Sequence, residues 1–171
     1  MIRGTTALLF CSLLFASGAD AAGWPLPVLS RRDTPPVVLS PAQLQADLKA
    51  KAGTDTVYFS GTAANLDAGS ITTLNYEVQW LLANPTVTVR LEGHGAPQDT
   101  RNFALAIGEK RAGAVRDYLV LHGIAADRLT VTSWGKERPG TVRNGATTVL
   151  VGPRVVTVVT ASGGPTMLGS R

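Results

Sequence analysis

The sequence predicts an α+β (α/β) sandwich, with helices over a sheet of about four strands. Three observations predict it. Periodic segments run in the order helix, strand, helix, strand, helix, strand, strand. The length of 171 residues, 44% of them hydrophobic and 16% charged, suits one domain with its own core and excludes a disordered chain. A single Cys excludes a disulfide scaffold, and no apolar stretch approaches the roughly 20 residues a membrane-crossing helix needs.

The first residues read as an export signal. Arg3 supplies a positive start, Ala7 to Ala16 forms a short apolar run, and Ala19-Asp20-Ala21 offers small residues for cleavage after Ala21. Cys11 reads as part of that apolar run and not as a lipid acceptor, because bulky Phe10 precedes it. Residues 22–37 hold four of the ten prolines without any period and read as a linker. The folded domain is expected over 38–160, with 161–171 as a flexible tail.

Ser40-Pro41 starts the first helix, with Ser as the cap and Pro in the first turn; Leu44 and Leu48 form its apolar stripe and Gly53 ends it. Thr56 to Phe59 is β-branched and aromatic, a strand. Asp67 caps a helix running to about Asn84, whose buried face is expected at Ile71, Leu74, Val78 and Leu81. Thr86 to Gly93 alternates, placing Val87, Val89 and Leu91 on one face of a half-buried strand. Thr100 to His122 is the strongest helix; Gly108 and Ala112 in its stripe are small enough to let it lie close against a sheet. Arg128 to Trp134 is a strand, 135–153 is Gly-rich and reads as irregular, and Val155 to Thr160 is the last strand.

The formal net charge of +4 permits attraction to an anionic polymer or lipid headgroups. No basic run interleaved with aromatics points to nucleic acid. His94 and His122 are the only histidines, and neither has a nucleophile or ligand set at a catalytic or metal-binding spacing. Carboxylates paired for glycan hydrolysis are not recognisable, and the chain after Ala21 has no thiol. The sequence therefore reads as non-enzymatic, without metal or cofactor. Trp80 and Trp134 read as packing residues, not as platforms for stacking sugars.

Four stretches fall in the order and spacing of a known family: VYF at 57–59, LLANPTVTVRLEGH at 81–94, LAIGEKRAGAVRDYLVLHGI at 105–124 and ADRLTVTSWGKERP at 126–139. On these residues the chain resembles the OmpA-like peptidoglycan-binding domains, those of peptidoglycan-associated lipoproteins in particular. The resemblance implies two or three helices on a mixed sheet. It also implies a site for the diaminopimelate of a peptidoglycan stem peptide. In the family an Asp takes that amino acid's ammonium and an Arg fifteen positions later takes its carboxylate.

Carried over, the Arg falls on Arg111 and the Asp position on Ala96, within Gly93-His94-Gly95-Ala96. The cation-binding half is thus missing, unless Asp99, three residues on, replaces it; its other reading is a helix-start carboxylate. Arg111 in turn reads either as the carboxylate grip or as a structural partner of Glu92 or Asp99. His94 and Gly95 belong to the same loop, His94 reading as a loop-structuring residue. Arg154 keeps one cation of the family's Asn-Arg-Arg run, and Phe103-Ala104 replaces the family's Tyr-Asn. The expected site is therefore Arg111, Asp99, His94, Gly95, Ala96 and Arg154.

The implied role is a non-catalytic protein of the periplasm and outer-membrane-associated envelope, linking wall and outer membrane by binding stem peptides. The alternative is a degenerate domain kept as a periplasmic protein–protein module, for Tol-system or other envelope proteins.

Overall fold

The computed structural model describes residues 39–144 and 147–162. The expected signal peptide, linker and Cys11 lie outside the described residues, as does the tail beyond Ser162. Helix α1 (Pro41–Ala52), strand β1 (Thr56–Tyr58), helix α2 (Ala68–Ala83), strand β2 (Val87–His94) and helix α3 (Arg101–Leu121) follow in order. After them come strands β3 (Leu129–Gly135), β4 (Gly140–Asn144), β5 (Thr147–Val151) and β6 (Arg154–Ser162). Among the described residues no helix is long and apolar enough to cross a membrane.

Local signals set the helix starts. Ser40 Oγ accepts the Gln43 N–H while Gln43 Oε1 accepts the Ser40 N–H, a reciprocal cap on the first turn. Asp67 accepts from Ser70 N at 2.7 Å, and Thr100 from Phe103 N at 3.4 Å. At the other end of α2, the Arg128 guanidinium collects the carbonyls of Leu81, Asn84 and Val87 at 2.7 to 3.1 Å. One side chain thereby pairs with two carbonyls at the C-terminal end of α2, of the kind a helix leaves free, and with the first carbonyl of β2.

The sheet is mixed and four-stranded, in the order β1-β6-β2-β3. β6 runs antiparallel to both β1 and β2, and β2 runs parallel to β3. The three helices cover one face. Leu44 and Leu48 of α1, Leu74 and Leu81 of α2, and Ala112, Val115 and Leu119 of α3 share one core with Val57, Val89, Leu91, Val155 and Val159 of the sheet.

Two expectations need correction. Residues 135–153 are not irregular throughout: β4 and β5 pair as an antiparallel ribbon from Gly140↔Val151 to Asn144↔Thr147, apart from the main sheet. On α2 the buried residues are Ser70, Leu74, Glu77, Val78, Trp80 and Leu81, and Ile71 is 37% exposed. Spacing, not hydropathy, decides which residues point inward, and Ser70 is drawn in by donating to the Tyr58 carbonyl at 3.2 Å.

Candidate functional site

Glycines bring α3 down onto the end of β2. A Cβ on Gly93 would run into the backbone of Gly108, and one on Gly95 would lie 2.7 Å from Ala104 Cα. That close seat carries Arg111 into the junction of α3, β2 and the β1–α2 loop, where it is 0% exposed. Its Nε donates to Ala63 O at 2.9 Å, Nη2 to Gly61 O at 2.7 Å and Nη1 to His94 O at 3.3 Å. The guanidinium carbon also lies 5.5 Å from the Phe59 ring centre.

The structural partner expected for Arg111 is thus different. Glu92 is not available, because Arg90 holds it at 2.7 Å. Asp99 makes no ion pair with Arg111, yet its field is felt there: burial pulls the Arg111 pKa below its usual value and Asp99 acts the other way.

Asp99 closes a tight turn on Ala96. The Ala96 N–H donates to Asp99 Oδ2 at 3.0 Å, and the Asp99 N–H donates to Ala96 O at 3.1 Å. The three-residue offset in sequence is folded back, so the carboxylate sits against the backbone of the position where the family Asp falls. Thr100 caps α3, with Asp99 directly before it. Lys136 Nζ donates to Asp99 O at 2.7 Å, and Arg101 pairs with Glu137 at 3.0 Å, which ties this turn to the segment after β3. Beside the β1–α2 loop, Thr62, Phe103, Ala106, Ile107 and Lys110 line an open hollow of about 500 Å³.

His94 and Arg154 belong to the opposite side of the sheet. They are direct cross-strand partners. Because Gly93 and Gly95 face α3, alternation turns the His94 ring away from it. The ring lines a second pocket with Gly95, Gly135, Lys136, Arg138 and Arg154. Burial, then the charge of Arg154, lowers the His94 pKa to about 4, so the ring is neutral at physiological pH. The six expected residues therefore divide: Arg111, Asp99 and Ala96 on the α3 side, the His94 ring and Arg154 behind the sheet, and Gly95 between them, seated on Ala104 and lining the second pocket. The carbonyl of His94 reaches Arg111, joining the two. Lys110, Lys136 and Arg138 were not singled out from the sequence, although the SWGKERP run contains the last two.

A family model described as OmpA family matches residues 58–148, more than half of the chain. The chain belongs to the OmpA family. This OmpA-family chain is 34% identical over 119 residues to a peptidoglycan-associated lipoprotein of Rhizobium meliloti, covering 70% of this chain and 67% of the relative. It is 36% identical over 109 residues to the protein of the same name in Mesorhizobium japonicum, covering 64% of this chain and 65% of that one. The chain thus spans about two thirds of the length of these relatives. The crystal structure of the peptidoglycan-associated lipoprotein from Burkholderia pseudomallei superposes with a TM-score of 0.56 at 26% identity, over 63% of this chain and 92% of that one. The OmpA-family fold, three helices on a mixed four-stranded sheet, is common to both.

Proposed function

We propose that this domain is a non-catalytic envelope module that holds peptidoglycan stem peptides through their zwitterionic amino acid. The observation that carries the reading is the Ala96–Asp99 turn. It sets a carboxylate against the backbone of Ala96, where the resemblance puts the family's cation-binding Asp, and the charge of Asp99 is felt at Arg111. Asp99 takes the ammonium and Arg111 the carboxylate. The names of the relatives, peptidoglycan-associated lipoproteins, support the wall as the partner and the periplasmic side of the outer membrane as the place.

Arg111 already donates to three carbonyls, two of them in the β1–α2 loop. A ligand carboxylate therefore competes with Gly61 and Ala63, and the exposed 60–63 loop shifts to admit it. This competition points to weaker binding than an open, preorganised pair would give. Fold and wall contact need no chemistry at a bond, in keeping with a tether.

Co-sedimentation with insoluble diaminopimelate-type peptidoglycan, with free diaminopimelate as competitor, tests the reading. Asp99→Asn keeps an acceptor for the Ala96 N–H but removes the charge, and should weaken pelleting roughly tenfold, the cost of about 1.4 kcal/mol from one charge-assisted contact. Ala96→Asp should strengthen it. Equal pelleting of all three proteins, or pelleting that diaminopimelate does not compete away, overturns the assignment.

A further inference from the structure

We propose that the pocket behind the sheet, between the end of β2, the segment after β3 and the start of β6, is an oxyanion site. Arg154, Arg138 and the His94 ring would hold a single carboxylate or phosphate group of a ligand there. It is separate from the Arg111–Asp99 pair and does not rest on it.

Charge is the first argument. Lys136, Arg138 and Arg154 line one pocket, and among the described residues none of the three forms an ion pair. Nearby acids are committed elsewhere: Glu92 to Arg90 and Glu137 to Arg101. From Arg138 to the end the sequence contains Arg143, Arg154 and Arg171 and no Asp or Glu.

Unsatisfied donors are the second. Arg154 is buried, yet its contacts to Val151 O, Gly152 O and Arg138 O are 3.4, 3.4 and 3.2 Å. Charge-assisted bonds run shorter, about 2.7–2.9 Å. The His94 ring is 4% exposed and its Nδ1 has no partner. A buried polar atom without a partner is uncommon, and a protonated Nδ1 would be satisfied by donating to an incoming oxyanion. Arg138 is already positioned, its guanidinium 3.4 Å from the centre of the Trp134 ring.

Volume sets the ligand class. The pocket is about 10 Å³, room for one water-sized group. It therefore admits the tip of a carboxylate or one phosphate oxygen at the end of a larger molecule, and not a sugar or a nucleobase. Two envelope sources carry that chemistry: the free carboxylates of wall peptides and the phosphates of lipid headgroups.

NMR titration of the purified protein at fixed ionic strength tests this, with inorganic phosphate in one arm and N-acetyl-D-alanyl-D-alanine in the other. The expected result is saturable shifts at His94, Arg138 and Arg154, with the His94 pKa moving up from about 4 when the anion binds. Arg138 is exposed, so Arg138→Ala should keep the fold, checked on the core amides, while weakening affinity roughly tenfold. Arg116→Ala, elsewhere on α3, removes an equal charge and should not change it. Saturation by phosphate alone supports a phosphate-bearing partner, and by the peptide alone a wall peptide. No saturable shift in either arm, or equal weakening by Arg116→Ala and Arg138→Ala, overturns the site.

Discussion

Glu77 is a carboxyl group sealed inside the domain. It is 0% exposed, Thr157 Oγ1 donates to its Oε2 at 2.8 Å, and its Oε1 has no partner. Burial raises its pKa from 4.5 to about 8; the Thr157 bond opposes the shift and the charge of Asp55 adds to it. Below pH 4.5 the group is protonated whether the chain is folded or not. Above it the unfolded chain releases the proton and the folded chain keeps it, so stability falls as pH rises through 4.5 toward 8. Glu77→Gln preserves an acceptor for Thr157 and removes the titration. Urea melts at about pH 5 and pH 8 should show the variant gaining on the parent at the higher pH, by on the order of a few kcal/mol. Parallel stabilities at both pH values would exclude a buried neutral carboxyl. The opposite sign holds for His94, whose lowered pKa costs stability as pH falls from 6.5 toward about 4. Glu77 was not singled out in the sequence, although it lies three residues after Leu74. Its burial was not legible, because hydropathy ranks Ile71 above it while the face is set by rotation around the helix.

Elements were more legible than their long-range contacts. Caps are local, so Ser40, Asp67 and Thr100 marked their helices in the sequence. The small residues of α3 likewise announced a close approach to the sheet. What they approach was hidden, since Gly93 is fifteen positions from Gly108 and only the fold sets backbone against backbone. The β4–β5 ribbon was missed because Gly and Pro dominate its surroundings and mask a short alternation. The glycines of α3 predict a contrast. A Cβ on Gly108 meets Ser133 Oγ at 2.5 Å and the Gly93 backbone at 3.1 Å, whereas one on Gly113 meets nothing within 4 Å. Gly108→Ala should destabilise by roughly 1–3 kcal/mol through overpacking. Gly113→Ala, in open space on the same helix, should stabilise by roughly 0.5–1 kcal/mol through helix propensity. Chemical melts of the two variants check the pair, and equal effects would refute the tight α3–β2 seat.

For the whole molecule, helices on one face leave the sheet two-sided, and the end of β2 serves both sides. The resemblance in sequence put the site at Arg111 and Ala96, and the fold brings the α3 residue and the β2–α3 loop near one another through Asp99. The resemblance could not say that Asp99 folds back onto Ala96 or that the guanidinium meets carbonyls, because both depend on a loop meeting a helix across many residues. Arg111 fastens α3 to the β1–α2 loop and to His94, so its loss should affect the fold first. Arg111→Met preserves much of the stem and leaves three carbonyls without their donor. It should lower stability by on the order of 3 kcal/mol, a fall of roughly 10 °C in Tm for a domain of this size. Asp99→Asn, which keeps its turn, should leave Tm within a few degrees while weakening wall binding. The pair therefore separates a residue that builds the site as well as gripping a carboxylate from one that serves the ligand alone. If Arg111→Met melts like the parent, the three carbonyl bonds do not hold the fold. The guanidinium would then be available to a ligand without competition, and wall binding should be tighter than the buried geometry implies.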